Sequence, residues 1–353
     1  MTEPLLSIRD LRTVFHTDEG LVRAVDGVSF DVDRGETVCL VGESGSGKTV
    51  TGESITRLIR TPPGEIAGGE IVFDGRDLTT LSDAALRDLR GDRIAHVFQN
   101  PQGALNPVYT VGWQIVEAIQ LHQDLSRAEA RSRGVDLLDR VGIPEATRRF
   151  DDYPHEFSGG MKQRVSIAMA LATNPDLLIA DEPTTALDVT IQNQILSLLS
   201  DLQDEFDMSI LLITHDLGVV AEVADRVVVM YAGKVMERGG VFDVFEHPSH
   251  PYTRALLDCL PGRGERGATS IGGRLPSPID PPDGCRFHPR CDYAVDACRE
   301  GDQPPICAAD SDDDHVVSCV HYEPGGDPSV VRGEDEEAMP TDGGRPTNGE
   351  DRA

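Results

Sequence analysis

One stretch of the chain constrains it more than any other. Thr37 to Val41 reads as a short buried-type strand that runs directly into Gly42-Glu43-Ser44-Gly45-Ser46-Gly47-Lys48-Thr49, with a helix expected from about Lys48 to Arg60. Glycines let a backbone curl until successive N–H groups point inward at phosphate oxygens. The helix N-terminus adds partial positive charge. In that setting Lys48 is placed to reach the β- and γ-phosphates of a nucleotide, and the Thr49 hydroxyl to ligate Mg²⁺.

The remaining pattern supplies a frame for this loop. Further strands are expected at 5–11, 28–32, 69–73, 176–181, 209–214 and 226–230, and helices at 164–172 and 190–206. Strands separated by helices argue for a parallel α/β core. From about 110 to 150 the pattern is helical and charged, so about 100–165 reads as an inserted helical subdomain. Three of the core strands end in polar residues. Leu177 to Ala180 is followed by Asp181 and Glu182: Asp181 suits Mg²⁺ through water, and Glu182 suits a general base that polarises the attacking water. His215 follows Ile210 to Thr214, at the strand end where ligands of such sheets bind, and can contact the γ-phosphate. Gln99, after Ile94 to Phe98, can meet both Mg²⁺ and the attacking water.

With these in place, Phe157-Ser158-Gly159-Gly160-Met161-Lys162-Gln163-Arg164 resembles the signature motif of the ABC ATPase family. Ser158 caps a helix, and Gly159 and Gly160 let the backbone approach a phosphate closely. Other elements match in order: Gln99 the Q-loop, Ala186-Leu187-Asp188 the D-loop and His215 the switch histidine, while Phe15 lies where the family stacks an aromatic on adenine. The resemblance covers about residues 5–262. It implies a parallel sheet with an antiparallel β subdomain and the helical insertion. It also implies two ATPase domains paired head to tail, each ATP held between one phosphate loop and the partner's signature. The signature reads Phe-Ser-Gly-Gly-Met rather than Leu-Ser-Gly-Gly-Gln, and Phe98-Gln99-Asn100-Pro101 precedes Ala104-Leu105-Asn106-Pro107. Both variants resemble the D-type subunit of oligopeptide/dipeptide importers. That resemblance implies a heterodimer with a second ATPase subunit, two transmembrane permease subunits docking along 100–108, and an extracytoplasmic solute-binding protein. Relatives of this subunit also serve nickel and some sugars.

Five of the seven cysteines crowd between 285 and 319. In a cytoplasmic chain such clustering points to metal more than to disulfide. Cys39, in an apolar strand, reads as core. Gly284-Cys285-Arg-Phe-His-Pro-Arg-Cys291 and Val317-Ser-Cys319-Val-His321 resemble the C-terminal region of the same importer subunits, which implies ligand roles for Cys285, Cys291, Cys298 and Cys319 and none for Cys307. Four thiolates can hold an iron–sulfur cluster or one zinc. The absence of a CxxC pair and the resemblance favour iron–sulfur over zinc; free thiols or disulfides are the alternatives.

The net charge of −29 opposes nucleic acid and anionic lipid as partners. Only three lysines occur, Lys48, Lys162 and Lys234, and an acidic, lysine-poor surface resembles proteins of salt-loving microbes. No apolar run approaches the ~20 residues of a membrane helix and no secretory signal opens the chain, so the expected location is the cytoplasmic face of a membrane, reached through partners. The chain thus divides into an ATPase domain at 1–262, a Cys-rich region at 263–323 and an acidic disordered tail at 324–353. The rival function is a soluble ABC ATPase of the DNA-repair or translation type. Repair types usually carry a long coiled coil and translation types two ATPase domains, neither of which is seen here.

Overall fold

The computed structural model describes residues 3–99, 101–185, 187–260, 270–310 and 314–332. Ala186 of the expected D-loop, Asn100 of the expected docking segment and most of the expected tail lie outside them.

Two sheets share one core. Strands β1 (Leu6–Thr17), β2 (Gly20–Val32), β4 (Gly64–Phe73) and β5 (Arg76–Asp77) form an antiparallel sheet in the order β2-β1-β4-β5. The larger sheet contains β3 (Thr37–Val41), β6 (Ile94–Val97), β7 (Leu177–Asp181), β8 (Ser209–Thr214), β9 (Arg226–Tyr231), β10 (Lys234–Gly240), β11 (Cys307–Ala308) and β12 (Val316–Val317). Its order is β11-β12-β10-β9-β3-β8-β7-β6. The run β6-β7-β8-β3-β9 is parallel, and β10, β12 and β11 add to it antiparallel.

Alternation along the parallel strands explains the layers. Side chains two apart share a face. Val38 and Leu40 of β3, with Ile213 of β8 and Met230 of β9, pack against Leu6, Ile8, Val28 and Phe30 of the antiparallel sheet. The intervening Cys39 and Val41 join Leu178, Leu212 and Val229 on the opposite face, against Ile167, Ile195 and Leu199 from the helices Gly159–Ala170 and Val189–Phe206. Burial on both faces is why these strands read as continuous apolar runs. Cys39 is core, as expected. The helices Val111–His122 and Arg127–Arg140 build the insertion. Ser126 closes a capping box with Glu129 at the start of the second.

Two expectations shift. β1 and β2 run well beyond 5–11 and 28–32, because register breaks between Ile8 and Leu11 and between Thr13 and Val14 interrupt the alternation that would mark longer strands. The helix after the phosphate loop stops at Ile55, not near Arg60; Arg57 already has a left-handed backbone with φ of 50°. The cysteine-rich region joins the core sheet, since β12 pairs with β10 through Val316 opposite Arg238 and Val317 opposite Glu237. Residues 324–332 also depart from the expected tail. Ser329–Arg332 is a helical turn with Val331 buried, and Arg332 donates to the Ala309 carbonyl at 2.6 Å.

Candidate nucleotide-binding and catalytic site

The phosphate loop leaves the tip of β3 and closes on the helix Lys48–Ile55. Two of its glycines are fixed by crowding as well as backbone angle. A Cβ on Gly42 would sit 2.1 Å from the Met230 carbonyl oxygen, and one on Gly47 2.3 Å from that of Ala24. Both also have positive φ, so no other residue fits. Ser46 is buried and its carbonyl accepts from Gly233 N–H at 2.9 Å, whereas Ser44 and Gly45 are exposed at the crest of the loop. The Lys48 ammonium lies over the loop, donating to the carbonyls of Gly42 at 2.7 Å and Glu43 at 2.9 Å.

β7 brings its carboxylates to the same end of the sheet. Thr49 Oγ1 donates to Asp181 Oδ1 at 3.2 Å. These two oxygens suit a hard divalent cation that keeps most of its waters. Glu182 follows in a left-handed conformation, φ 44°, the kind of strain that collects at functional positions. Its carboxylate is held on three sides: Gln99 Nε2 donates to Oε2 at 2.7 Å, the Thr185 hydroxyl to Oε2 at 2.9 Å, and His215 Nδ1 lies 2.9 Å from Oε1. Gln99, Glu182 and His215 therefore meet beyond the C-terminal ends of β6, β7 and β8, with Asp181 at the tip of β7 beside them. Thr185 is the member that sequence reasoning passed over; its hydroxyl three residues after a carboxylate is too common a pattern to stand out.

Electrostatics separates the two carboxylates. Burial pushes the Asp181 carboxyl up, and neighbouring Glu182 adds to this against the Thr49 bond. Burial would also raise Glu182, but the bonds from His215, Thr185 and Gln99 outweigh it and hold its carboxyl below the usual range. Burial lowers the Lys48 ammonium, opposed by Glu182, Asp181 and Glu43. One ammonium beside the carboxylates of Asp181 and Glu182 cannot balance an incoming triphosphate, so such a site calls for a divalent cation.

The signature segment stands on the helical insertion. Ser158 caps the helix Gly159–Ala170, accepting from Met161 N–H at 3.3 Å. Gly160 is needed for packing: a Cβ there would lie 2.8 Å from Ile191 Cγ2. Asp188 caps the following helix, accepting from Ile191 N–H at 3.0 Å, so the signature and Asp188 share one buttress. Phe15 sits in β1 opposite Val22 and Gly64, on the antiparallel sheet.

Cys285, Cys298 and Cys319 of the C-terminal region are buried, and Cys291 and Cys307 half-buried. Burial raises the Cys285 and Cys291 thiols to about 11 and Cys319 to about 12, and each also feels the charge of others in the set that includes Cys298. Cys307 packs against the small cluster of Val317, Cys319 and Tyr322, with its thiol toward the Pro305 carbonyl. Among the described residues, however, no group of three or more His, Cys, Asp or Glu side chains is arranged to hold a metal ion.

A glycine-lined loop at the tip of a central parallel strand, with a carboxylate pair two strands away, defines a P-loop nucleoside triphosphatase. The family model described as ABC transporter matches residues 25–185, and that described as oligopeptide/dipeptide transporter, C-terminal region, matches residues 236–298. The oligopeptide transport ATP-binding protein OppD of Bacillus subtilis is 51% identical over 310 residues, 87% of this chain and 87% of OppD. The probable peptide ABC transporter ATP-binding protein y4tR of Sinorhizobium fredii is 52% identical over 300 residues, 84% of this chain and 89% of that protein. Among solved structures, the dimeric post-hydrolysis state of the ATP-binding cassette MJ0796 bound to ADP and Pi matches with a TM-score of 0.60 and 29% identity, covering 67% of this chain and 98% of that one. The chain belongs to the ABC transporter family of ATP hydrolases, in the branch that carries the oligopeptide/dipeptide transporter C-terminal region. Among the described residues no helix is long and apolar enough to cross a membrane.

Proposed function

We propose that this chain is the ATP-hydrolysing subunit of a membrane importer for di- or oligopeptides or a related small solute. The observation that carries the reading is the pairing of a carboxylate network at Glu182 with a C-terminal region that matches the oligopeptide/dipeptide type. In this reading Lys48 and the loop N–H groups of Gly42 to Thr49 take the β- and γ-phosphates. Phe15 stacks on the base. Thr49 and Asp181, with Gln99 beside them, would hold Mg²⁺, which would supply charge neutralisation at the phosphates. Glu182, ionised and oriented by Gln99, Thr185 and His215, takes the proton of the attacking water.

The chain acts as one half of a pair. Its Ser158, Gly159 and Gly160 serve the partner's ATP, with Asp188 at the shared seam. Sandwiched ATP favours the closed pair and hydrolysis releases it, a ligand-driven shift in population. A second ATPase subunit of a different kind, two permease subunits and an extracytoplasmic binding protein complete the assembly on the cytoplasmic face of the membrane. The match of this region to the oligopeptide/dipeptide type, and the absence of a CxxC pair among Cys285, Cys291, Cys298 and Cys319, favour an iron–sulfur cluster over one zinc. Anaerobic purification with iron, sulfide and zinc analysis tests this, and zinc without sulfide refutes it.

The test of the whole reading is purification of the tagged chain from its own membranes in high salt. Two polytopic membrane proteins and a second ATPase are expected with it. A chain that stays soluble and brings only ribosomal or DNA-repair proteins refutes the importer.

A further inference from the structure

Glu43, the second residue of the phosphate loop, is not free. Its carboxylate is gripped by Arg290, 247 positions further on, through a two-pronged contact: Nη1 to Oε2 at 2.6 Å and Nη2 to Oε1 at 3.1 Å. The guanidinium is fully employed. Nε donates to the Gly272 carbonyl at 2.7 Å, Nη2 also to the Ile271 carbonyl at 3.1 Å, and Nη1 also to the Tyr231 hydroxyl at 3.2 Å. All five donors of an arginine are thereby used. The side chain is 3% exposed and lies over the rings of Tyr231 and Phe287. From the other side, the Tyr252 hydroxyl accepts the Glu43 backbone N–H at 2.9 Å. The segment bearing Arg290 is itself anchored: Arg286 pairs with Asp26, and Arg23 N–H donates to the Pro278 carbonyl at 2.9 Å.

We infer that Arg290 is a positioning residue for ATP binding, through which the cysteine-rich region forms one wall of the phosphate loop. The inference rests on the reading that this loop binds ATP. Arg290 acts on Glu43 in two ways. The bidentate grip fixes the loop before nucleotide arrives, so less ordering remains to be done on binding. It also offsets a carboxylate that would otherwise repel the triphosphate. A lysine could supply the charge but not the fork.

The experiment measures MgATP affinity, KM and kcat on the full chain, with thermal melts alongside. Wild-type binding checks the underlying reading separately: a wild type that binds no ATP defeats that reading before any variant is compared. Arg290→Met is expected to weaken MgATP binding and raise KM by roughly tenfold, the size of one charge-assisted bond, with kcat little changed. The double variant Arg290→Met with Glu43→Gln is expected to recover most of the affinity, because the unpaired carboxylate is gone. A merely structural role for Arg290 would show no such rescue. Wild-type affinity in Arg290→Met overturns the inference, and so does a double variant as weak as Arg290→Met. Should Arg290→Met fail to fold, Arg290→Lys replaces it: weaker binding relieved by Glu43→Gln supports the inference, and wild-type affinity overturns it.

Discussion

Glu182 shows how much of the chemistry lies in single side chains. It combines a strained backbone, three hydrogen-bonding neighbours and a carboxyl held below its usual range. Glu182→Gln should keep ATP binding while turnover falls by roughly 10²–10⁴-fold, the usual share of a general base. Single-turnover hydrolysis with labelled ATP measures both, and undiminished hydrolysis would remove Glu182 from the role. His250 carries a different prediction. It is buried, its Nδ1 accepts the Tyr252 N–H at 3.0 Å, and burial pushes its pKa down to about 3. The native state therefore refuses a proton that the unfolded chain accepts below about pH 6.5. Stability from this group is complete above that pH and declines as pH falls from there toward 3. His250→Asn keeps a helix-capping acceptor and should flatten the acid side of the stability curve, read by urea melts between about pH 7 and pH 4. The loop residues, Asp181, Glu182, Gln99 and His215 were legible because each follows an apolar strand at a fixed offset. Thr185, Tyr252 and Arg290 were not, because their partners are set by tertiary contact and not by spacing.

At the level of elements, β10 is where the chain's two sequence characters join. The parallel strands were legible to within a residue or two, since two-sided burial leaves an unbroken apolar run. β11 and β12 were not, because two residues carry no alternation to read. Yet β12 covers the edge of β10, and beneath that pairing Glu237 and His315 form a fully buried pair at 2.8 Å. Glu237 also accepts the N–H groups of Ser249 and His250 at 2.7 and 2.8 Å. Burial alone would lower the His315 pKa, but the bond and charge of Glu237 outweigh it and raise it. Its contribution is therefore complete below the ordinary histidine value near 6.5 and is lost as pH rises through the higher native one. His315→Ala leaves a buried carboxylate short of a partner and should destabilise the chain by about 3 kcal/mol near pH 6, with a smaller effect at higher pH. Chemical denaturation at both pH values checks it; an equal loss at each would mean that packing and not charge is what the histidine supplies.

For the whole molecule, the surface charge sets the conditions of folding. With a net charge of −29, self-repulsion opposes the compact state. Raising KCl from about 0.1 M to about 1 M shortens the screening length from about 10 Å to about 3 Å and should raise the melting temperature. A flat or falling response would show that self-repulsion does not limit the stability of the compact state. The sheet order was only partly readable at this scale. The sequence pattern announces a parallel core, but nothing in it places residues 307–308 and 316–317 on the far edge of that core. The grip of Arg290 on Glu43 has a last consequence, in time. Glu43 leaves the ribosome well before its counterpart, which is made 247 residues later. At synthesis rates of about 5–20 residues per second, the phosphate loop waits roughly 12–50 s for the arginine that completes it. A nascent chain thus shows the nucleotide motif long before it owns a finished nucleotide site.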